Sequence, residues 1–409
     1  MRIIHTSDWH IGKSLHGRKR YEEFEAFFLW LAETIVQRQA DALVIAGDIF
    51  DTGAPSTRAQ ELYYQFLVQA ARSGCRHVVV VGGNHDSPRF LEAPKELLKL
   101  LNVHVVGCTG ETLREEVLLL KDQHGAPEMV LCAVPFLRDK DLRDVEAGES
   151  PEDKERKLVE GIQRHYAQVI DEAKGLMATL DREVPLVATG HLFTRGGVTN
   201  DDDGVRDLYV GSLAYVGTEA FGVGFDYVAL GHLHMAQKVQ GSDFIRYSGS
   251  PLPMSFSEAA HKKSLLLVEF QGRTPTVEAL PVPSFRQLES VRGDWAEISL
   301  RLQQLAALNQ GHWVEVIFEG NEIVGSLRDE VEKLVSGSTL EVLRVKDSRV
   351  TNRVLSQMHA QETLEDLSDL DVFLRCLDAN STPEEQRPQL LATYQEALAS
   401  LNNPENVAE

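Results

Sequence analysis

Five short apolar runs in this chain end in Gly, Ser or Thr followed by Asp, Asn or His: Asp8-Trp9-His10, Gly47-Asp48, Gly83-Asn84-His85-Asp86, Gly190-His191 and Gly231-His232-Leu233-His234. A buried strand that stops at a tight turn hands its next polar residue to the carboxyl edge of a sheet, where open α/β folds keep their ligands. The runs read as strands over residues 2–6, 42–46, 77–81, 103–106, 129–134, 184–189, 227–230, 244–247 and 264–270, with helices over 21–39, 56–73, 88–102 and 151–179. They are continuously apolar rather than alternating, which predicts a sheet covered on both faces. The expected class is therefore a layered α/β domain.

At 409 residues the chain exceeds what one core usually fills, so two or three domains are expected. The prolines between Pro275 and Pro283 read as a linker. Boundaries follow at 1–272 for the large domain, 284–346 for a small α/β module and 351–409 for a helical tail. In the tail, Leu367, Leu370, Leu374 and Leu377, then Leu391, Tyr394, Leu398 and Leu401, repeat at i, i+3, i+7, i+10 and predict two amphipathic helices. Each stripe either packs on the body or docks another protein's helices.

No apolar run is long enough to span a bilayer and no secretory signal is visible, so a cytoplasmic protein is expected. Cys75, Cys108, Cys132 and Cys376 form no CxxC pair, which argues against disulfides and thiolate metal sites. A net charge of -21 disfavours phosphate backbones as partners unless cations intervene. Arg18-Lys19-Arg20 is a local basic cluster able to reach such a backbone.

Asp8 and His10 are two apart at a strand end, as are His232 and His234, so each pair points to one side. Carboxylate, imidazole and carboxamide together suit a first-row divalent ion. The seven candidates Asp8, His10, Asp48, Asn84, His191, His232 and His234 are too many for one tetrahedral zinc, so two ions are implied. Asp48 is the natural bridge. His5, His77, His104, His165 and His312 lack such context and read as ordinary hydrogen-bonded histidines.

In order and type these motifs resemble the full signature of the calcineurin-like metallophosphoesterases. That resemblance implies a four-layer αββα sandwich of two facing sheets flanked by helices, carrying a two-metal phosphoesterase site. More narrowly, Thr6 to Gly12, Gly47 to Asp51 and Gly249-Ser250-Pro251, with the capping module and tail, are similar to the DNA-nuclease subunits of bacterial ATPase–nuclease complexes. The resemblance assigns Asp8, His10, Asp48 and His234 to one metal and Asp48, Asn84, His191 and His232 to the other, with manganese the expected ion. It leaves His85 free to protonate the departing sugar oxygen, with Asp86 orienting it, and gives Asp51 a position where many relatives carry His. The implied activity is double-strand exonuclease and single-strand or hairpin endonuclease action in break repair, replication and recombination, nucleoid-associated when on DNA. Implied partners are DNA, a coiled-coil ATPase gripped by the tail, and a second copy through helices near residues 56–73 and 88–101. The alternatives are a small-molecule phosphodiesterase or phosphatase and a non-catalytic scaffold.

Overall fold

The computed structural model describes residues 1–142, 149–194, 216–320, 326–348, 370, 373–374, 377 and 387–401. The chain divides into two compact units, Met1–Leu288 and the remainder from Glu289.

In the first unit one sheet runs Thr274–Pro281, Ser264–Gln271, Arg2–Thr6, Ala42–Ala46, His77–Val81, Val103–Val106. Its last four strands are parallel and its first two antiparallel. The second sheet runs Gln237–Lys238, Ile245–Tyr247, Tyr227–Gly231, Leu186–His191, Pro127–Cys132, Val117–Lys121, with a parallel centre. Side chains alternate along each strand, and both faces find apolar cover. Leu43 and Ile45 face Phe24, Phe27, Leu31 and Phe66 of the helices Tyr21–Arg38 and Thr57–Arg72. Ala42, Val44 and Ala46 instead meet Leu131, Val187 and Ala229 of the second sheet. That sheet's outer face packs Ala188 and Val228 against Ile162, Tyr166 and Val169 of the helix Pro151–Met177. The result is the four-layer αββα sandwich expected from the resemblance.

A buried polar contact also ties the two sheets together. His5 Nε2 donates to the Leu230 carbonyl (3.1 Å), so its Nδ1 accepts from the Tyr227 hydroxyl (2.9 Å) across the two sheets. Burial pushes the imidazole down to about 3, so it stays neutral, an ordinary core histidine. At Gly231 an added Cβ would stand 1.9 Å from the Ala46 carbonyl and 2.9 Å from His191 Nδ1. Only glycine lets the two strand ends approach so closely. Gly231→Ala is accordingly expected to destabilise the unit by about 3 kcal/mol, since backbone cannot step aside; urea midpoints equal to wild type would contradict this.

Two readings of the sequence need correction. The stretch from Pro275 is not a linker: Thr274–Pro281 pairs over eight residues with Ser264–Gln271 as an edge strand, so the first unit extends past residue 272. Proline is tolerated there because an edge strand has one side with no ladder to complete. The helix expected over 88–102 is broken into Pro88–Glu92, Lys95–Leu98 and a 3-10 turn Lys99–Leu101, since Pro94 cannot donate within a helix.

The second unit has a three-stranded sheet, Leu288–Gly293, Trp313–Phe318, Glu341–Asp347, the last two parallel. Its helices Trp295–Leu308 and Leu327–Val335 bury Ile298, Leu302, Leu305 and Val331 on it. A capping box of Asp294 and Glu297 starts the first helix. Of the tail, Leu370 and Leu374 are half-buried and Leu377 is buried. The helix Arg387–Leu401 carries Leu391, Tyr394, Leu398 and Leu401, and the Tyr394 ring stacks on Phe373 at 4.0 Å. Leu367 and Cys376 lie outside the described residues. Cys75 and Cys132 are buried free thiols, and Cys108 is a partly buried one. Among the described residues no helix is long and apolar enough to cross a membrane.

Candidate metal centre

The five motifs meet at one place because five parallel strands end there. Arg2–Thr6, Ala42–Ala46 and His77–Val81 are neighbours in one sheet, and Leu186–His191 and Tyr227–Gly231 are neighbours in the other. Past the strand ends the first two loops stay paired, Asp8 N–H donating to the Gly47 carbonyl and His10 N–H to that of Asp48 (3.0 Å each). The backbone then turns through left-handed conformations at Asp8 (φ 53°), His10 (49°), Asp48 (51°) and His232 (101°). Such φ values in non-glycine residues cost energy and collect where geometry serves function.

Two donor groups result, Asp8 with His10 and His234, and Asp48 with His191 and His232, and a third shares His10 with Asp51 and His85; within each, one ligand atom per residue lies within 4.8 Å of the others. Asp48 joins the first two. Its Oδ2 lies 3.2 Å from His191 Nε2 and 3.6 Å from His10 Nε2, while its Oδ1 accepts the His85 backbone N–H at 2.9 Å. Asn84 Oδ1 sits 3.0 Å from both His191 Nε2 and His232 Nδ1, within the second group. Asp8 and Asp48 are almost fully buried, and burial pushes the Asp8 carboxyl above its ordinary range. Burial opposes charge at Asp48 too, but His191 and His10 beside it hold its carboxyl well below that range. His191 rises to about 9 against the same burial because Asp48 faces it. Burial lowers His10 to about 4 and drives His232 well down, which keeps both lone pairs available.

The donor set fits divalent cations. His191 Nδ1 donates to the Ala46 carbonyl (2.9 Å), which turns Nε2 inward as the nitrogen a cation would take in place of its proton. His234 Nδ1 faces the Glu258 carboxylate (3.1 Å), and its Nε2 lies 3.2 Å from His10 Nε2. Two imidazole nitrogens aimed at each other across a buried space are satisfied by a shared cation better than by one proton.

The remaining site residues divide. His85 stands edge-on to His10 with ring centroids 4.8 Å apart, and its Nδ1 donates to the Asp51 carbonyl at 2.9 Å. That bond fixes the ring and leaves Nε2 as its other nitrogen. Asp86 does not orient it. Both Asp86 oxygens accept backbone N–H groups, of Phe50 (3.0 Å), Ile49 (3.0 Å) and Gly83 (2.9 Å), so this buried carboxylate ties together the two loops that carry Asp48 and Asn84. Burial and the nearby Asp48 raise it to about 6 despite those three donors. Asp51 lies 3.6 Å from His10 Nδ1 and 3.2 Å from Lys13 Nζ. Its carboxyl is held low against burial by those two partners.

Arg20 is also reassigned. It is 2% exposed, doubly bonded to Glu23 and donating to the Pro253 carbonyl, so it is structural and cannot reach DNA. Arg18 and Lys19 are exposed on a short hairpin with Ser14–Leu15. Sequence patterning missed Glu258, a buried carboxylate on the 3-10 turn Phe256–Glu258, because an acidic residue 24 positions beyond His234 carries no motif of its own. His234 and Lys263 hold it at about 2 against burial.

The calcineurin-like phosphoesterase family matches residues 1–236, and the SbcD C-terminal family, described as the type 5 capsule protein repressor C-terminal domain, matches residues 284–381. The chain is 36% identical over 404 residues to the SbcD subunit of the SbcCD nuclease of Escherichia coli strain K12, covering 98% of both chains. The chain belongs to the SbcD branch of the calcineurin-like phosphoesterases. SbcD subunits from Rhodobacter capsulatus (36% identity; 75% of this chain, 76% of that one) and Bacillus subtilis strain 168 (37%; 66% of each) are similar over shorter spans. As a member of this family with its donor set in place, the chain is a metal-dependent phosphodiester hydrolase.

Proposed function

We propose that the chain is the manganese-dependent nuclease subunit of an ATPase–nuclease complex, acting on DNA as a double-strand exonuclease and as a single-strand and hairpin endonuclease in break repair, replication and recombination. The observation that carries this reading is Asp48 standing between two His-rich donor groups, in a chain similar over 98% of its length to a nuclease subunit.

In this reading Asp8, His10, Asp48 and His234 hold one ion, and Asp48, Asn84, His191 and His232 the other. Divalent ions bound there supply Lewis-acid stabilisation of phosphate charge and an acidified water. The protein's own groups do the rest. Asp48, whose Oδ2 faces both His191 and His10 while Oδ1 is held by the His85 amide, would serve both sites. His85, fixed by the Asp51 carbonyl, presents Nε2–H in its charged form to the leaving oxygen. Lys13, paired with Asp51 at the mouth of the site, adds positive charge where a phosphate enters. Arg18 and Lys19 extend that contact along the backbone.

An SbcC-type coiled-coil ATPase is the proposed partner for the tail, and it supplies the basic surface that a chain of net charge -21 lacks. A homodimer is proposed through the helix Thr57–Arg72 and the segment beyond Pro88. There Leu97 and Leu100 are 68% and 80% exposed, and a shallow groove is lined by Tyr64 and Val68. Cytoplasmic action, at the nucleoid when DNA is engaged, follows from the substrate.

One panel of substrates tests the proposal: plasmid and hairpin DNA, a cyclic nucleotide and a chromogenic phosphate monoester, each with manganese, magnesium or a chelator. DNA cleavage that needs manganese and ceases with chelator is expected. Hydrolysis of the small substrates alone would replace the nuclease reading with a small-molecule phosphoesterase.

A further inference from the structure

Behind the metal centre lies a charged group that none of the five motifs contains. Glu258 is fully buried, and its Oε1 accepts from His234 Nδ1 at 3.1 Å. Its Oε2 takes the Met254 backbone N–H at 3.0 Å and the Lys263 ammonium, with Ser250 Oγ at 3.4 Å. Lys263, itself 8% exposed, also donates to Ser250 Oγ (2.8 Å) and to the carbonyl of His234 (3.1 Å). Thus one side of His234 faces His10 and the ion site, and its other ring nitrogen and its backbone are both held by this pair.

A buried ion pair contributes little net stability, because desolvation of both charges offsets their attraction. Retaining one directly behind a ligand calls for another reason. A carboxylate that accepts from the far nitrogen of a metal-binding imidazole fixes the tautomer and ring angle and makes the near nitrogen a better donor. The carboxylate must itself be immobile to do so. The Met254 amide and the Lys263 ammonium fix it from two directions.

We infer that Glu258 is a positioning residue for His234, clamped by Lys263, and that this clamp sets the affinity of one of the two ion sites, the one shared by Asp8, His10 and Asp48. The inference rests on the two-metal reading. In that arrangement the loop after Ser248-Gly249-Ser250 serves the metal centre, although it contributes no ligand.

The test is calorimetric titration of the metal-stripped full-length chain with Mn²⁺, alongside thermal melts of the stripped protein. Wild type should bind two ions; binding of one or none defeats the two-metal reading itself. Glu258→Ala should weaken one ion about 10 to 100-fold, the range for loss of a group supporting a ligand, and leave the other within about threefold. Glu258→Gln, which keeps an acceptor for Nδ1–H, should fall between Ala and wild type at that same site. Two ions bound by Glu258→Ala with wild-type affinity, or both weakened equally, would overturn the inference while leaving the two-metal reading intact. Should Glu258→Ala fail to fold, the decision passes to Lys263→Met in the same titration and to the wild-type proton spectrum. An exchange-protected His234 Nδ1–H resonance and selective weakening of one ion by Lys263→Met support the clamp; absence of either overturns it.

Discussion

Asp48→Ala should bind neither ion at near-native affinity and should cleave DNA at least about 10³-fold more slowly, the scale on which charge-stabilising groups act at such centres. One oxygen of the Asp48 carboxylate faces both donor groups. Its Oδ2 is 3.2 Å from His191 and 3.6 Å from His10, which belong to different groups and different sheets. Removing it therefore leaves two incomplete half-sites rather than one good site and one poor one. The substitution also strips His191 of the carboxylate that raises it to about 9, so in the metal-free variant that imidazole should titrate at lower pH. Calorimetric metal titration, a plasmid-nicking assay and the titration curve of His191 by NMR check the three parts. Retained binding of two ions, or retained cleavage, would sink the bridging role.

His85→Leu should do the opposite with the metals: two ions bind as in wild type, while turnover on DNA falls by about 10² to 10⁴-fold, the usual contribution of a positioned proton donor. Leucine approximates the volume of the ring but cannot donate to the Asp51 carbonyl or to a leaving oxygen. The deciding comparison is with an activated ester such as bis(p-nitrophenyl) phosphate, whose leaving group departs without a proton. On that substrate the variant should keep most of its activity. An equal loss on both substrates would assign His85 to structure or metal support, where its neighbours His10 and Asp51 already stand.

The candidate ligands were legible in the sequence because their geometry is local. A continuous apolar run, a glycine and then a donor already say strand, turn and carboxyl edge, and five repetitions in one chain imply convergence. The layered fold followed from the same runs, since a strand apolar on both faces needs cover on both. Errors arose where a residue type has two environments. Arg20 has the charge of a DNA contact, but only the neighbouring Glu23 and Pro253 carbonyl reveal that it is buried. Asp86 follows His85 in sequence, yet the turn sends its carboxylate toward the Ile49 and Phe50 amides. Pro275 and Pro281 look like breakers because nothing local reveals that their strand is an edge.

By itself, then, the sequence determined which side chains stand at strand ends, because that depends on polarity patterns a few residues long. Only the tertiary structure decided what those side chains face. Glu258 and Lys263 come to lie behind His234, and Asp48 between His10 and His191, because two sheets pack close enough that Gly231 touches the Ala46 carbonyl. Distances between strands in different layers are set by packing across the whole core, and no window of sequence contains them.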